Sequence, residues 1–481
     1  MSRLDRTMVA PPDTRKPLAE ATMLRPLLLT LSGNATASAT IFARNLLLAA
    51  MLPVGDYGIA ATFAIAMAAI ETASALGVQQ QIVQARDGDD PKLQAALHGF
   101  QILRGLFAAT ILLALSGPLA RFLGIPDVAW AYAILAAVPL IQSFQHLDIH
   151  RFSRDERFLP VALSGVLPNL LALALAGTLA WLLGDWRAML WSLLFQAICL
   201  VAITHVFADR PWRLRADAAT WRRVLTFGAP LLVNGLILFV VLQGDKLIVG
   251  RVLGMETLGV FALATTLTLT PALVIAAALQ TVLLPRLSRA RDAGSLPAAI
   301  QPAIAASCAA GGLAATLAVL AGPAVAPFVA GTGYAALATL LLPLGVLQAI
   351  RMAKAAVTLV ALALGQTSTA MVSNIPRLIA LAIGAWAVTD GATIQTLIWI
   401  ACLGEAAGVP VALWRVTRAK GWTGGLPAAP FIWTALAVAA TLSVPLLSVP
   451  GWIAAAVAGT ATLACLHRSK SVGIPATGPG A

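Results

Sequence analysis

Apolar residues in this chain run in long blocks separated by short polar segments. Each block is about 17–25 residues, the length of helix that crosses the hydrocarbon core of a bilayer. The pattern predicts helices near 27–51, 58–76, 97–117, 131–148, 160–183, 188–208, 225–250, 258–282, 298–321, 336–362, 371–389, 394–413, 430–447 and 451–466. Residues 1–26 are polar and are expected to form a disordered cytoplasmic tail, with no removable signal peptide. Residues 209–224 form a basic linker between two sets of six spans, 27–208 and 225–413. A loop at 414–429, a last pair of spans within 430–466 and a tail at 467–481 follow. The expected fold is an all-α polytopic membrane protein of about fourteen transmembrane helices: two six-helix lobes around a central cavity, plus two C-terminal helices.

Composition supports this pattern. Of 481 residues, 59% are hydrophobic and 11% charged, whereas soluble domains carry about 25% charged residues. So few charges cannot coat several soluble domains. A cytosolic enzyme, a secreted disulfide scaffold and a disordered chain are excluded. The net charge of +12 does not indicate nucleic acid, because no basic run exceeds Arg222-Arg223 and only three Tyr are present for stacking. It follows the membrane rule that cytoplasmic loops gather Lys and Arg. With the N-terminus inside, 23 basic residues fall on cytoplasmic segments and three (Arg121, Arg187 and Arg251) on the opposite side. That asymmetry predicts an even number of spans with both ends cytoplasmic. The sequon at Asn34-Ala35-Thr36 lies within the first span and is not expected to accept a glycan. Cys199, Cys308, Cys402 and Cys465 sit in apolar runs and are expected to be small core residues.

The end of the first span, Leu52-Pro53-Val54-Gly55-Asp56-Tyr57-Gly58, matches the end of the seventh, Leu253-Gly254-Met255-Glu256-Thr257-Leu258-Gly259. Each runs from a Leu to a Gly six residues on, at an offset of 201. Six intervening spans preserve orientation, which predicts parallel lobes related by an axis along the membrane normal.

Nine ionisable residues fall inside spans. Six are basic (Arg44, Arg104, Lys246, Arg351, Lys354 and Arg377) and three acidic (Glu71, Asp245 and Glu405). A charge at mid-bilayer costs roughly 2.5–3.5 kcal/mol even on the insertion scale, so these groups must face a wet cavity or one another. The acids neutralise at most half of the bases, and a cavity with surplus positive charge suits an anion. On the tenth span Gln348, Arg351 and Lys354 share one face, with Thr358 a turn further. The first span carries Asn34, Ser38, Thr40, Arg44 and Asn45 and is too polar to face lipid throughout. Arg104, Asn374 and Arg377 lie where either cavity lining or snorkelling to the headgroups is open. The candidate binding residues are therefore Asn34, Arg44, Arg104, Gln348, Arg351, Lys354, Asn374 and Arg377. Asp245, Lys246, Glu71 and Glu405 are candidates for gating and charge pairing. The repeat offset places Arg44 level with Asp245, which makes a cross-lobe pair at the outer gate one expectation and a partner inside the Asp245 lobe the other.

Nothing in the chain matches a catalytic constellation, a phosphate loop or a metal-site motif; His146 and His150 with Asp148 between them lack the companion Glu. No catalytic, metal or cofactor residues are expected, and coupling to H⁺ or Na⁺ is left open.

The stretch Asp245-Lys246-Leu247-Ile248-Val249-Gly250-Arg251-Val252-Leu253-Gly254, followed by Leu258-Gly259-Val260-Phe261, resembles the bacterial polysaccharide transporter family. These are lipid-linked oligosaccharide flippases of the superfamily that includes multidrug and toxin extrusion transporters. Leu52 to Gly58, Leu76-Gly77-Val78-Gln79-Gln80, Phe227-Gly228-Ala229-Pro230 and Leu284-Pro285-Arg286-Leu287-Ser288-Arg289 are similar to other family segments, and the likeness spans residues 24–415. Phe261 departs from it, standing where Tyr is more usual. The resemblance implies a multi-pass protein of the bacterial inner membrane that takes an undecaprenyl-diphosphate-linked sugar repeat unit to the periplasmic leaflet by alternating access. It implies membrane lipids, a polysaccharide polymerase and chain-length proteins as partners in exopolysaccharide synthesis, and no nucleic acid. A peptidoglycan-precursor flippase shares the fold and charge logic. A drug-cation antiporter calls for a carboxylate-dominated cavity, and a membrane polymerase for a large catalytic outer loop.

Overall fold

The computed structural model describes residues 16–73, 76–329, 334 and 336–418, with side chains within helices described from 33 onward and not over 318–329. The described residues are helical throughout, without a strand. In order the helices are α1 (Lys16–Met51), α2 (Val54–Ala73), α3 (Val78–Gln84), α4 (Pro91–Phe122), α5 (Ala129–Leu135), α6 (Ala137–Gln142), α7 (Asp148–Arg154) and α8 (Phe158–Leu183). Then come α9 (Arg187–Val206), α10 (Ala218–Val252), α11 (Gly254–Asp292), α12 (Leu296–Val329), α13 (Leu337–Ala363), α14 (Ser368–Ser373), α15 (Ile375–Thr389) and α16 (Ile394–Thr417). Every span expected between 27 and 413 has its helix or helix pair. The expected spans at 430–447 and 451–466, both expected tails up to residue 15 and from 467, and most of the loop at 414–429 lie outside the described residues.

The boundaries depart from expectation for physical reasons. α1 begins at Lys16, so the expected disordered tail is helical over its second part. Lys16 to Leu24 is rich in strong helix formers, which hydropathy does not score. α11 runs 39 residues, about 58 Å at ~1.5 Å per residue, well beyond a ~30 Å hydrocarbon core. Its charged end simply continues the helix. The fourth span is broken into α5 and α6 and stops at Gln142, short of the expected 148. Pro139 supplies no N–H to the Leu135 carbonyl, and the break falls there. The eleventh span breaks at Asn374, ahead of Pro376.

The two halves share one apolar core at the end that carries the repeated turns. Leu52, Tyr57 and Phe63 pack in one cluster with Leu258, Phe261 and Leu344. At the other end two further clusters form: Leu287, Ile304, Val357 and Val416 in the C-half, and Val78, Leu97 and Leu147 of the N-half with Val224 of α10, where a Cβ on Gly228 would overlap the Leu76 carbonyl oxygen. The linker is clamped to the N-half. Arg215 N–H donates to the Ala95 carbonyl at 3.0 Å and Trp221 Nε1 to Ala96 at 3.0 Å. Asp148 holds this end together. Burial alone would raise its carboxyl, but hydrogen bonds from Arg151, Gln94 and the Arg210 backbone outweigh burial and hold it below the ordinary range.

At the shared end the sequence repeat becomes a symmetric contact. A Cβ on Gly58 would overlap the Met255 carbonyl oxygen, and a Cβ on Gly259 would overlap the Val54 oxygen. Val54 and Met255, like Gly58 and Gly259, are separated by the 201-residue offset. Each repeat therefore places its glycine on the other's carbonyl, and only glycine permits the approach of α2 to α11. We expect Gly58→Leu to separate the halves here. Gly55 lies within 3.5 Å of Glu256 when a Cβ is added, so a Gly55→Cys/Glu256→Cys pair should cross-link under mild oxidation. Adding Gly58→Leu should cut the yield severalfold; an unchanged yield would refute the close-approach account.

Candidate functional site

The intramembrane charges of the C-half meet between α10, α13, α15 and α16. Glycines let these helices close up. A Cβ on Gly404 would strike Ala380 of α15, and one on Gly408 would reach the Ser373 carbonyl and the Lys354 side chain. Gly404 and Gly408 flank Glu405 at the four-residue spacing that brings membrane helices together, and Glu405 is 1% exposed. On α10, Gly244 packs against Leu381 and sets Asp245 toward α15.

The resulting network is dense. Arg377 Nη2 donates to Asp245 Oδ2 in a buried ion pair. Glu405 takes three bases: Lys354 Nζ on one oxygen, with Arg351 Nε at 3.6 Å and Arg377 Nε at 3.9 Å from the other. Lys354 Nζ also donates to Asn374 Oδ1 at 2.6 Å. The break that Pro376 imposes leaves Asn374 between α14 and α15, in reach of that ammonium. Arg351 Nη1 donates to Gln348 Oε1 at 3.4 Å and Nη2 to the Val241 carbonyl at 3.4 Å. Lys246 is half-buried, makes no ion pair among the described residues and feels the fields of Asp245 and Arg351.

These placements sort the candidates. Arg377 is 1% exposed. It is an internal counter-ion for both acids and reaches neither headgroups nor open cavity. Lys354 is similarly enclosed against α16. The face expected to join Gln348, Arg351, Lys354 and Thr358 divides, because Thr358 lines a separate small cavity with α11 and α12. Arg351, with a side chain 15% exposed, and Lys246 are the C-half cations within spans that stay partly exposed. Gln243 Oε1, Gln348 Nε2 and Arg351 Nε are buried without a hydrogen-bond partner, and so within the ion-pair network are Asp245 Oδ1, Glu405 Oε2 and Arg377 Nε and Nη1, as expected where a polar ligand or water completes a site.

In the N-half, Arg44 Nη1 donates to Gln196 Oε1 at 2.6 Å, and Gln196 Nε2 to Asn169 Oδ1 at 3.0 Å. This ladder ties α1 to α9 and α8. The cross-lobe pair of Arg44 with Asp245 is not formed. Asp245 has its partner in its own lobe, and Arg44 is 5% exposed inside the N-half. Asn34 is exposed on α1, beside Gly33, which packs on Ala162 of α8. Glu71 and Arg104 line one cavity of about 440 Å³ and interact electrostatically. Sequence reading missed Gln196, Asn169 and Gln243, which were visible as amides inside apolar runs. It also missed the Gly404-x-x-x-Gly408 spacing around Glu405.

A two-lobed, all-α membrane protein with charge held inside each lobe is the class that the described residues define. Residues 47–339 match the family described as polysaccharide biosynthesis protein. That is more than half of the 481 residues, and the chain belongs to this family. Amylovoran biosynthesis protein AmsL of Erwinia amylovora is 26% identical over 200 residues, 40% of this chain and 51% of that protein. The chain thus spans about half the length of this curated relative. Solved structures share the fold. A lipid II flippase MurJ in an inward closed conformation aligns with a TM-score of 0.67 at 14% identity, covering 91% of this chain and 98% of that one. An inward-facing multidrug resistance MATE family transporter of the MOP superfamily aligns at 0.65 and 15% identity, over 85% and 96%.

Removing one partner of a buried ion pair strands the other charge and costs about 3–5 kcal/mol. Arg377→Ala should therefore lower the thermal unfolding temperature sharply in detergent. Arg377→Ala with Asp245→Ala should lose much less than the sum of the single variants. Strict additivity would show that the pair is not coupled.

Proposed function

We propose that this chain flips a lipid-linked oligosaccharide, joined to undecaprenyl through a diphosphate, from the cytoplasmic to the outer leaflet of a bacterial inner membrane. The charge left over in the C-half carries this reading. Four bases (Lys246, Arg351, Lys354 and Arg377) meet two acids (Asp245 and Glu405); Lys354 and Arg377 take the short contacts, and Arg351 shares Glu405 at 3.6 Å. Lys246 has no ion pair among the described residues, and Arg351, partly exposed, lies close enough to repel it. A diphosphate, with about two negative charges, relieves that repulsion. Arg offers a planar fork for phosphate oxygens and Lys a point charge. A site for drug cations needs the opposite sign.

Membership of a polysaccharide biosynthesis family supports a sugar-chain precursor as cargo. The repeated turns that join the halves support two lobes that rock about the site by alternating access. The charge asymmetry of the loops supports cytoplasmic termini. An inside-negative potential then favours outward movement of an anion, at about 2.3 kcal/mol per charge per 100 mV. A polymerase and chain-length proteins would consume the product.

Proteoliposomes loaded with a fluorescent polyprenyl-diphosphate sugar test this. Wild type should exchange the lipid between leaflets. Lys246→Ala/Arg351→Ala should slow exchange by at least about tenfold, the effect of losing charge-assisted hydrogen bonds. Equal rates would overturn the assignment of the site. No exchange, together with ion-driven efflux of a cationic dye, would overturn the function.

A further inference from the structure

The N-half cavity of about 440 Å³ differs in chemistry from the C-half charge site. It lies where α2, α3, α4 and α6 meet the start of α10, which contributes Leu231 to its wall. Glu71 and Arg104 bring one charge of each sign, so it carries no net charge. Four glutamines line it too, Gln79 and Gln80 on α3, Gln142 at the end of α6 and Gln145 in the turn that follows, among apolar residues such as Ile70, Leu76 and Leu200. Their side-chain amides make no hydrogen bonds among the described residues. Gly105 lets α4 pack against the end of α6 beside the cavity, since a Cβ there would collide with Ser143 and the Pro139 carbonyl.

This lining selects by chemistry. A diphosphate would meet the Glu71 carboxylate, and a cation would meet Arg104. A purely apolar molecule would strip water from four amides without replacing their hydrogen bonds; the apolar wall suits the carbon faces of a sugar ring. A neutral molecule dense in hydroxyls fits, because each hydroxyl donates and accepts, and each amide offers a carbonyl acceptor and two N–H donors. The carboxylate and guanidinium extend the same pattern. The volume lies within the range of about 300–1,000 Å³ typical of small-ligand sites, enough for about one or two sugar rings.

We infer that this cavity is the carbohydrate subsite, in which the glutamines recognise part of the sugar chain while the C-half cations hold the diphosphate. The inference rests on the flippase reading above. It divides the head group between the lobes, so that the sugar contributes to specificity and the diphosphate to anchoring.

Binding to the full chain in nanodiscs separates the two. The probes are a short polyprenyl diphosphate and the same lipid bearing glucose, galactose or N-acetylglucosamine. At least one sugar should raise affinity over the bare lipid. Gln79→Leu and Gln142→Leu should each reduce that preference by about 3–10-fold, the effect of one hydrogen bond, and leave bare diphosphate binding unchanged. Gln142→Glu is nearly isosteric and guards against misfolding; it keeps an acceptor, loses the donors and should lose part of the preference. A preference that survives these variants, or none for any of the three sugars, overturns the subsite. Failure of wild type to bind even the bare diphosphate overturns the flippase reading and the subsite with it.

Discussion

A charge inside a bilayer has no water to neutralise it, and the protein must supply the partner or leave room for one. This constraint organises the C-half. Asp245 and Glu405 are its only acids within spans, and four bases compete for them. The helices are drawn together where Gly244, Gly404 and Gly408 remove the side chains that would hold them apart. Arg377 and Lys354 take the acids and become part of the packing. Arg351 is left with a 3.6 Å contact to a shared carboxylate and two hydrogen bonds at 3.4 Å. Lys246 is left with no ion pair among the described residues. The surplus follows from the arithmetic of the sequence; its location follows from which helices the glycines let touch.

A second close approach governs the joint between the halves. Gly58 and Gly259 each sit on a backbone carbonyl of the other repeat. Backbone contacts of this kind are all-or-none, because a single added carbon prevents them. Around them the apolar core is continuous across the halves, and at the opposite end α10 bridges them, with Val224 in the Val78 cluster and Gly228 against the Leu76 carbonyl. Each half carries its own polar chemistry.

The spans up to residue 413 were legible because hydrophobic length is a direct reading of bilayer thickness. Their breaks were less so: Pro139 and Pro376 were visible, but hydropathy alone does not register a lost hydrogen bond. The repeat at Leu52 and Leu253 was legible, and the structure shows what it is for. Of the two partners weighed for Asp245, the one inside its own lobe is present. The offset places Arg44 and Asp245 at equivalent heights, yet each is buried within its own lobe, and Asp245 finds Arg377 by way of the Gly244 approach to α15. Helical spacing put Arg351 and Lys354 on one face. It did not reveal that α16 would enclose one and leave the other open, since that depends on Gly404 and Gly408, a spacing that was legible in the sequence.

The central claim is that the acids are satisfied internally and the open pair of cations holds the anion. A cryo-EM map of the full chain with a polyprenyl diphosphate bound tests it most directly. Density for the two phosphates is expected beside Arg351 and Lys246, with the Arg377–Asp245 pair intact. Phosphate density against Lys354 with Glu405 displaced, or at Arg44 in the N-half, would contradict the account.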